Sequence, residues 1–363
     1  MTAQRSPCAR KHGLDGLRFV LAAAILVYHY LFYGPNSGHV PGAAGSEHIF
    51  WLRFAVPVFF VISGFVIFYS MNGKTAGGFL FARALRLWPA LAVCACVTFG
   101  AAAVSGQMQG EDVGLWLRAI ALLPLAETGS YLDESLWSLT YEIRFYALIA
   151  VLMALGFARS AVWIMTALGV VWMVGCLIGA SYISWLTAEY TGLFGLGMAL
   201  ALSEEDRRSR VWIMLGANFV VAWFGTGLVV ARDDMLPSYV GGAQGAFVAG
   251  LAIVLAAGAM VKWASVVRVP VGWVTVMSAL GAVSYPLYLL HQRLGYMLLE
   301  GATALGLGTG TAVVLTAALV LGLSLFVALR VEPWVRRRMK AVAMPVGPEP
   351  GAARFGSGGA QIP

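Results

Sequence analysis

Charged side chains are scarce in this chain. Only 11% of its 363 residues are Asp, Glu, Lys or Arg, and 60% are hydrophobic, whereas soluble globular proteins carry about 25% charged residues. So few charges do not cover a water-facing surface, which argues against a soluble enzyme, a disordered protein and a nucleic-acid-binding protein. The net charge of +7 is better explained by the Lys and Arg excess that membrane proteins carry in their cytoplasmic loops.

Patterns that bind metals or form disulfides are also missing. The chain has four cysteines, and Cys94, Cys96 and Cys176 lie within apolar runs, where cysteine acts as a small buried hydrophobe. Cys94 and Cys96 have no second cysteine pair and no nearby histidine. The sequence contains neither a HExxH pair nor a glycine-rich phosphate loop, and no internal repeat. We therefore expect no metal site and no disulfide framework.

Long apolar runs, by contrast, dominate the chain. A helix that crosses a membrane needs about 20 mostly apolar residues. Ten stretches meet this condition: 14–33, 51–71, 86–105, 135–157, 161–180, 183–202, 211–230, 240–261, 276–299 and 309–330. They predict an all-α fold, a polytopic transmembrane helical bundle over residues 1–340, followed by a disordered cytoplasmic tail, 341–363. A weaker apolar stretch, 113–126, is expected at the membrane interface within a loop.

The positive residues predict the orientation of this bundle. If the amino terminus is cytoplasmic, 19 of the 24 lysines and arginines fall on cytoplasmic segments or at their membrane edges. The loop 34–50 then faces outward, and it contains no lysine and no arginine. This bias predicts that both termini are cytoplasmic and that the number of spans is even.

Two ionisable residues lie in the first predicted span. Arg18 and His29 are eleven residues apart, which is about 16 Å along a helix and close to three full turns, so both project from the same face. Such residues within a membrane are costly and are functional candidates by default. The alternative is that Arg18 reaches the headgroups while His29 hydrogen-bonds a neighbouring helix.

Five sequence motifs in fixed order add to this pair. The first is LDGLR at 14–18 with the histidine that follows it, and the others are FFVISGF at 59–65, RALRLWP at 83–89, LWSLTYEIRFY at 136–146 and VSYPLYLLH at 283–291. Together they resemble the integral-membrane acyltransferase-3 family, which O-acylates surface polysaccharides and some antibiotics. The family often has an acid and Gln where this chain has Ile143 and Arg144, but Glu142 is retained.

Acyl transfer to a hydroxyl requires a group that removes the hydroxyl proton. Histidine titrates near neutral pH and is the usual general base, and the resemblance implies that His29 is the essential histidine. Covalent transfer through His29 stays open. Glu142 is the candidate to orient this base, the alternative being an ion pair with Arg144 or Arg18. We expect Ser63 to bond a backbone carbonyl, and Gly64 to permit close helix approach.

Coenzyme A is a phosphate-rich anion made in the cytoplasm, so an acyl-CoA donor calls for arginines on that side. Arg18, Arg83 and Arg86 lie there in the predicted orientation, although ordinary positive-inside arginines would be placed in the same way. His291 is a second intramembrane histidine, and we expect it to pack helices.

These features lead to one functional hypothesis and its rivals. The resemblance implies an O-acyltransferase of the bacterial cytoplasmic (inner) membrane, with acetyl-CoA or another acyl-CoA as donor and no metal. The acceptor would be a carbohydrate hydroxyl of an exopolysaccharide or lipopolysaccharide. A small natural product such as a macrolide is a second possible acceptor. A glycan exporter or secondary transporter with Arg18, His29 and Glu142 as a proton relay is the rival function.

Overall fold

The computed structural model describes residues 11–40, 45–121, 131–180, 188–233 and 242–343, and these are helical with short connections and no strand. The helices are α1 His12–Tyr28, α2 Gly34–Asn36, α3 Ala55–Ser70, α4 Ala76–Val104, α5 Asp112–Ile120, α6 Leu136–Ala154, α7 Ala161–Leu177, α8 Thr191–Glu205, α9 Ser209–Ala231, α10 Gly242–Val266, α11 Val271–Leu290, α12 Arg293–Ala304, α13 Thr309–Phe326 and α14 Glu332–Ala343. Two π-helical turns, His29–Tyr33 and Val327–Val331, and 3₁₀ segments at Glu47–Phe54, Ala158–Ser160 and Ala188–Tyr190 join or extend them.

Within these ranges, nine helical segments are long and apolar enough to cross a membrane. The predicted polytopic helical bundle is therefore confirmed. The sixth predicted span, 183–202, corresponds to α8, which begins at Thr191 and has 15 residues. Residues 183–187 lie outside the described residues. The predicted tail, 341–363, also lies outside the described residues, except for 341–343, which form the end of α14.

Two predicted spans were wrong at their boundaries. The third was placed at 86–105, but α4 begins ten residues earlier and contains both Arg83 and Arg86. The ninth was placed at 276–299, but α11 ends at Leu290 and a separate helix, α12, begins at Arg293. Apolar composition does not reveal this break, because acidic side chains distant in sequence, Asp112 and Asp133, bind Arg293.

Helices α3 and α8 pack at very short range through glycines. A Cβ atom at Gly64 would overlap the carbonyl oxygen of Phe194, and one at Gly197 would overlap the carbonyl oxygen of Val61. The predicted close approach at Gly64 is confirmed. Small residues at such crossings allow backbones to approach closely, and the van der Waals packing that results is one of the forces that associate helices within a membrane.

Polar contacts place the start of α1 and helix α14 at the same end of the bundle. Lys11, just before α1, binds Glu204 in the last turn of α8 at 2.6 Å, and Tyr69 near the end of α3 donates to the same carboxylate. Arg336 of α14 donates to the backbone carbonyl of Arg86. We call this end the first end and the opposite one the second end. Which compartment each faces stays a prediction.

Candidate active site

A cavity of about 250 Å³ lies among α1, α3, α4, α6 and α11. Helix α6 lines it with Ser138, Glu142 and Tyr146, which are four residues apart and so form one stripe along the helix. The stripe is about 12 Å long at the helical rise of ~1.5 Å per residue. The cavity therefore extends along the bundle. We call it the arginine cavity, after the residues at its end nearest the first end.

Three arginines line that end of the cavity: Arg18 of α1 and Arg83 and Arg86 of α4. Arg83 and Arg86 reach the same space because they are three positions apart and so share one helix face. Arg18 lies 3.8 Å from Asp15, and Arg83 donates to Ser70 at 2.8 Å. The guanidinium of Arg86 makes no hydrogen bond or ion pair within the described part of the chain, so positive charge is in excess there.

Glu142 is the acidic residue of this cavity wall. Ser63 donates to its Oε1 at 2.7 Å, and the hydroxyl of Tyr146 binds the same oxygen. The expectation that Ser63 bonds a backbone carbonyl was therefore wrong. Neither Arg18 nor Arg144 forms an ion pair with Glu142 in the described residues, and the Arg144 guanidinium lies 5.7 Å from the Tyr141 ring centroid. Two hydroxyls thus hold the carboxylate in place.

His29 lies beyond the arginine cavity and opens a π-helical turn. Such turns are rare and are frequent at functional sites. Its Nδ1 is 2.9 Å from the hydroxyl of Tyr296 in α12. No hydrogen bond joins His29 to Glu142 among the described residues, so the structure does not place these two candidates in direct contact. The role of each stays a prediction.

His291 connects the cavity to His29. Its ring centroid is 4.9 Å from that of His29 and 5.5 Å from that of Tyr288, a cavity residue. His291 is completely buried, and its Nδ1 donates to the Tyr288 carbonyl at 2.7 Å. No described residue makes a hydrogen bond to its Nε2. The expectation that His291 packs helices stays a prediction, and its ring lies between His29 and the arginine cavity.

The turn that carries His291 is held by a buried ion pair at the second end. Arg293 binds Asp112 of α5 with two hydrogen bonds of 2.7 and 2.6 Å. These hydrogen bonds lower the pKa of Asp112 by more than burial raises it, so the pKa lies below its usual range. Asp133 accepts the backbone N–H groups of Arg293 and Ser135. Paired in this way, Arg293 is a structural anchor and is not a free cation within a span.

The candidate residues of the sequence motifs therefore lie close together, but their arrangement differs from the one predicted from their spacing in the sequence. Arg18, Arg83, Arg86 and Glu142 line one cavity, and His29 is reached from it through His291. Tyr296 was missed, because a tyrosine outside the motifs carries no signal of its own. Among the described residues, no three His, Cys, Asp or Glu are grouped so as to hold a metal ion.

Comparison with known proteins covers the same region of the chain. A family model described as an acyltransferase domain matches residues 11–331, a range that includes every residue of the site. No curated protein and no solved structure matches the chain.

Proposed function

This chain belongs to the acyltransferase-3 family and is a membrane acyltransferase, and we propose that it moves an acetyl or other short acyl group from an acyl-CoA to a carbohydrate hydroxyl. The arginine cavity is the observation that carries the proposal. It combines three guanidinium groups and one carboxylate in a space whose α6 wall is about 12 Å long. This combination suits a long donor that is anionic at one end only.

The donor's phosphates would bind at the arginine end. Arginine forks match phosphate oxygens with two parallel hydrogen bonds, and Arg86 has no competing partner in the described residues. From Arg18 to His29 the helix rises about 16 Å, which is comparable to an extended pantetheine arm. Phosphates at the first end would thus leave the thioester near Tyr288 and His291. Under the predicted orientation, the first end faces the cytoplasm, where acyl-CoA is made.

His29 would act as the general base. As the acceptor oxygen attacks the thioester carbonyl, the new C–O bond forms and His29 takes the hydroxyl proton. The C–S bond then breaks, and His29 returns this proton to the departing sulfur. The products are the carbohydrate ester and coenzyme A with a free thiol, so no further reactant is needed.

Tyr296 would fix the tautomer that this reaction needs. A base must offer an unprotonated ring nitrogen, and the other nitrogen is set by its own hydrogen bond. If Nδ1–H of His29 donates to the Tyr296 oxygen, Nε2 stays free to accept the proton. We therefore assign to Tyr296 the orienting role that the sequence suggested for Glu142.

Glu142 would act from within the arginine cavity. The pantetheine arm carries two amide N–H groups, and an anionic carboxylate is a strong acceptor for such donors. The hydroxyls of Ser63 and Tyr146 already hold its Oε1, which leaves Oε2 for the ligand. In this role Glu142 positions the donor and makes no contact with His29.

The acceptor and the location are proposed from the resemblance to polysaccharide acyltransferases. We place the protein in the bacterial cytoplasmic membrane, with a polysaccharide or lipid-linked glycan as acceptor. The test uses membranes that contain the full chain, incubated with acetyl-CoA labelled in its acetyl group. Label should appear on glycan with wild type and with His48→Ala, a control at an exposed histidine, but not with His29→Ala. Glycan export without any label would overturn the proposal.

A further inference from the structure

A second cavity, also of about 250 Å³, lies at the second end of the bundle. Three aromatic residues, Phe54, Trp137 and Tyr190, form much of its wall, and Arg53 and Thr226 contribute its polar groups. We call it the aromatic cavity. Nothing in the acyl-CoA site described above uses these five residues.

Three neutral polar groups of the aromatic cavity, on Thr226, Trp137 and Tyr190, have no hydrogen-bond partner among the described residues. Thr226 is buried, and its hydroxyl finds no hydrogen-bond partner in the part of the chain that the structure describes. The indole N–H of Trp137 and the hydroxyl of Tyr190 make no hydrogen bond within the described residues. A buried polar group without a partner costs roughly 1–3 kcal/mol. The cavity therefore suits a ligand that satisfies several hydrogen bonds.

The charge of the aromatic cavity restricts the class of ligand that it can bind. Among the described residues that line the cavity, Arg53 alone is charged, and its guanidinium is ion-paired with Asp233. A free anion would find no unpaired cation there, and a hydrocarbon chain would leave the three neutral groups unsatisfied. A sugar ring fits both conditions, because it is uncharged, carries many hydroxyls and presents apolar C–H faces to aromatic rings.

The aromatic cavity adjoins both parts of the candidate site. Val56 lines it and also lines the arginine cavity. On the other side, the Arg53 guanidinium lies 5.9 Å from the Tyr28 ring centroid. The Tyr28 ring is in turn 5.0 Å from the ring of His29. A ligand in this cavity is therefore close to the proposed base and next to the donor's space.

We infer that the aromatic cavity is a carbohydrate subsite that seats a neutral pyranose ring of the acceptor. This inference rests on the proposed function, since it assigns the second substrate to its own cavity. Donor and acceptor would then approach His29 from opposite ends of the bundle. Trp137 and Tyr190 would stack against the ring, and Thr226 would bind one of its hydroxyls.

Binding is tested by saturation-transfer NMR on the full chain in lipid nanodiscs. The probes are methyl α-glucopyranoside, methyl α-mannopyranoside and methyl α-galactopyranoside, with irradiation of the aromatic protons of the protein. We expect saturation of the ring protons of at least one probe. Thr226→Val keeps the side-chain shape and should weaken binding about 2- to 10-fold, the usual range for one lost hydrogen bond. Trp137→Leu should abolish the signal.

Trp163→Leu is the matched control, because Trp163 is an exposed tryptophan on α7, away from the aromatic cavity. It should leave the signal unchanged. The inference is overturned if no probe is saturated by wild type, or if Trp163→Leu and Trp137→Leu reduce the signal equally. Saturation confined to the methyl group, without the ring protons, would indicate an apolar pocket and would also overturn it.

A kinetic measurement separates this inference from the proposed function. Thr226→Val should raise the KM for the glycan acceptor and leave the KM for acetyl-CoA at the wild-type value, which also reports a folded donor site. Acyl transfer with an unchanged acceptor KM in Thr226→Val would reject the subsite alone. Sugar binding without any acyl transfer by wild type would reject the proposed function and leave the subsite standing.

Discussion

The imidazole rings of His29 and His291 meet edge to face, with centroids 4.9 Å apart. The two residues come from opposite parts of the chain, one at the end of α1 and the other just after α11. His291 also contacts Tyr288 of the arginine cavity. The proposed base is therefore linked to the proposed donor site by a second histidine.

Replacing His29 should remove the chemical step without removing donor binding. A positioned general base contributes about 10²- to 10⁴-fold in rate, so we expect His29→Ala to lose that much turnover. Coenzyme A binding, measured by calorimetry on the purified protein, should match wild type. Wild-type turnover in His29→Ala would remove this residue from the mechanism.

Tyr296→Phe tests the tautomer of His29. Without the hydroxyl, nothing in the described residues holds Nδ1, and the fraction of His29 with a free Nε2 should fall. We expect about a 10-fold lower kcat, an unchanged KM for acetyl-CoA and a shifted pH dependence of kcat. A purely structural role would lower protein abundance and leave the pH profile of the surviving enzyme unaltered.

The arginine variants should affect donor affinity. Each lost charge-assisted hydrogen bond costs about 1.5–3 kcal/mol, which is about a 10- to 150-fold change. Arg83→Ala and Arg86→Ala should therefore raise the KM for acetyl-CoA while kcat stays close to wild type. Arg18→Lys should behave similarly, because the ammonium group of lysine is a point charge and does not replace the two parallel hydrogen bonds of a guanidinium. Arg118→Ala, at an exposed position on α5, is the control and should leave the KM for acetyl-CoA unchanged. Normal coenzyme A binding by all three site variants would refute the donor assignment.

The contact between α3 and α8 should tolerate no added methyl group. Gly64→Ala and Gly197→Ala each place a Cβ against a backbone carbonyl, so we expect a lower thermal midpoint and poor membrane accumulation. Gly216→Ala in α9 is the control, since a Cβ there meets no atom within 4 Å. That substitution should be neutral or stabilising by up to about 1 kcal/mol. Equal midpoints for all three variants would contradict the packing argument.

The orientation is tested with reporter fusions. Fusions after residues 45, 75, 120 and 207 should report outside, cytoplasm, outside and cytoplasm in turn, because the positive residues are concentrated on one side. A cytoplasmic signal at residue 45 would reverse the bundle. It would also place the arginine cavity on the wrong side for acyl-CoA.

Much of this arrangement could be predicted from the sequence. Hydropathy predicted the helical bundle. The motifs identified four residues that line one cavity, and the spacing of two of them, Arg83 and Arg86, correctly placed both on one helix face. The partner of Glu142 and the partner of His29 could not be predicted. Ser63, the partner of Glu142 that lies outside α6, and Tyr296 reach them from other helices, and contacts of this kind depend on how helices are rotated and offset against one another. The break after Leu290 was missed for the same reason, since distant carboxylates stabilise it.

The π-helical turn at His29 makes the site sensitive to chain length. A π turn holds one residue more than the α-helical turn it replaces, and residues beyond it are rotated by about 100° relative to a regular helix. If one residue of this turn were deleted, Gly34 would no longer lie beside Tyr296. The space there is tight, since even an added Cβ atom on Gly34 would be 3.1 Å from the tyrosine ring. Deleting a single residue between His29 and Gly34 should therefore be more damaging than most substitutions in that segment. Homologous enzymes that share the mechanism should keep this spacing, even where the side chains within it differ.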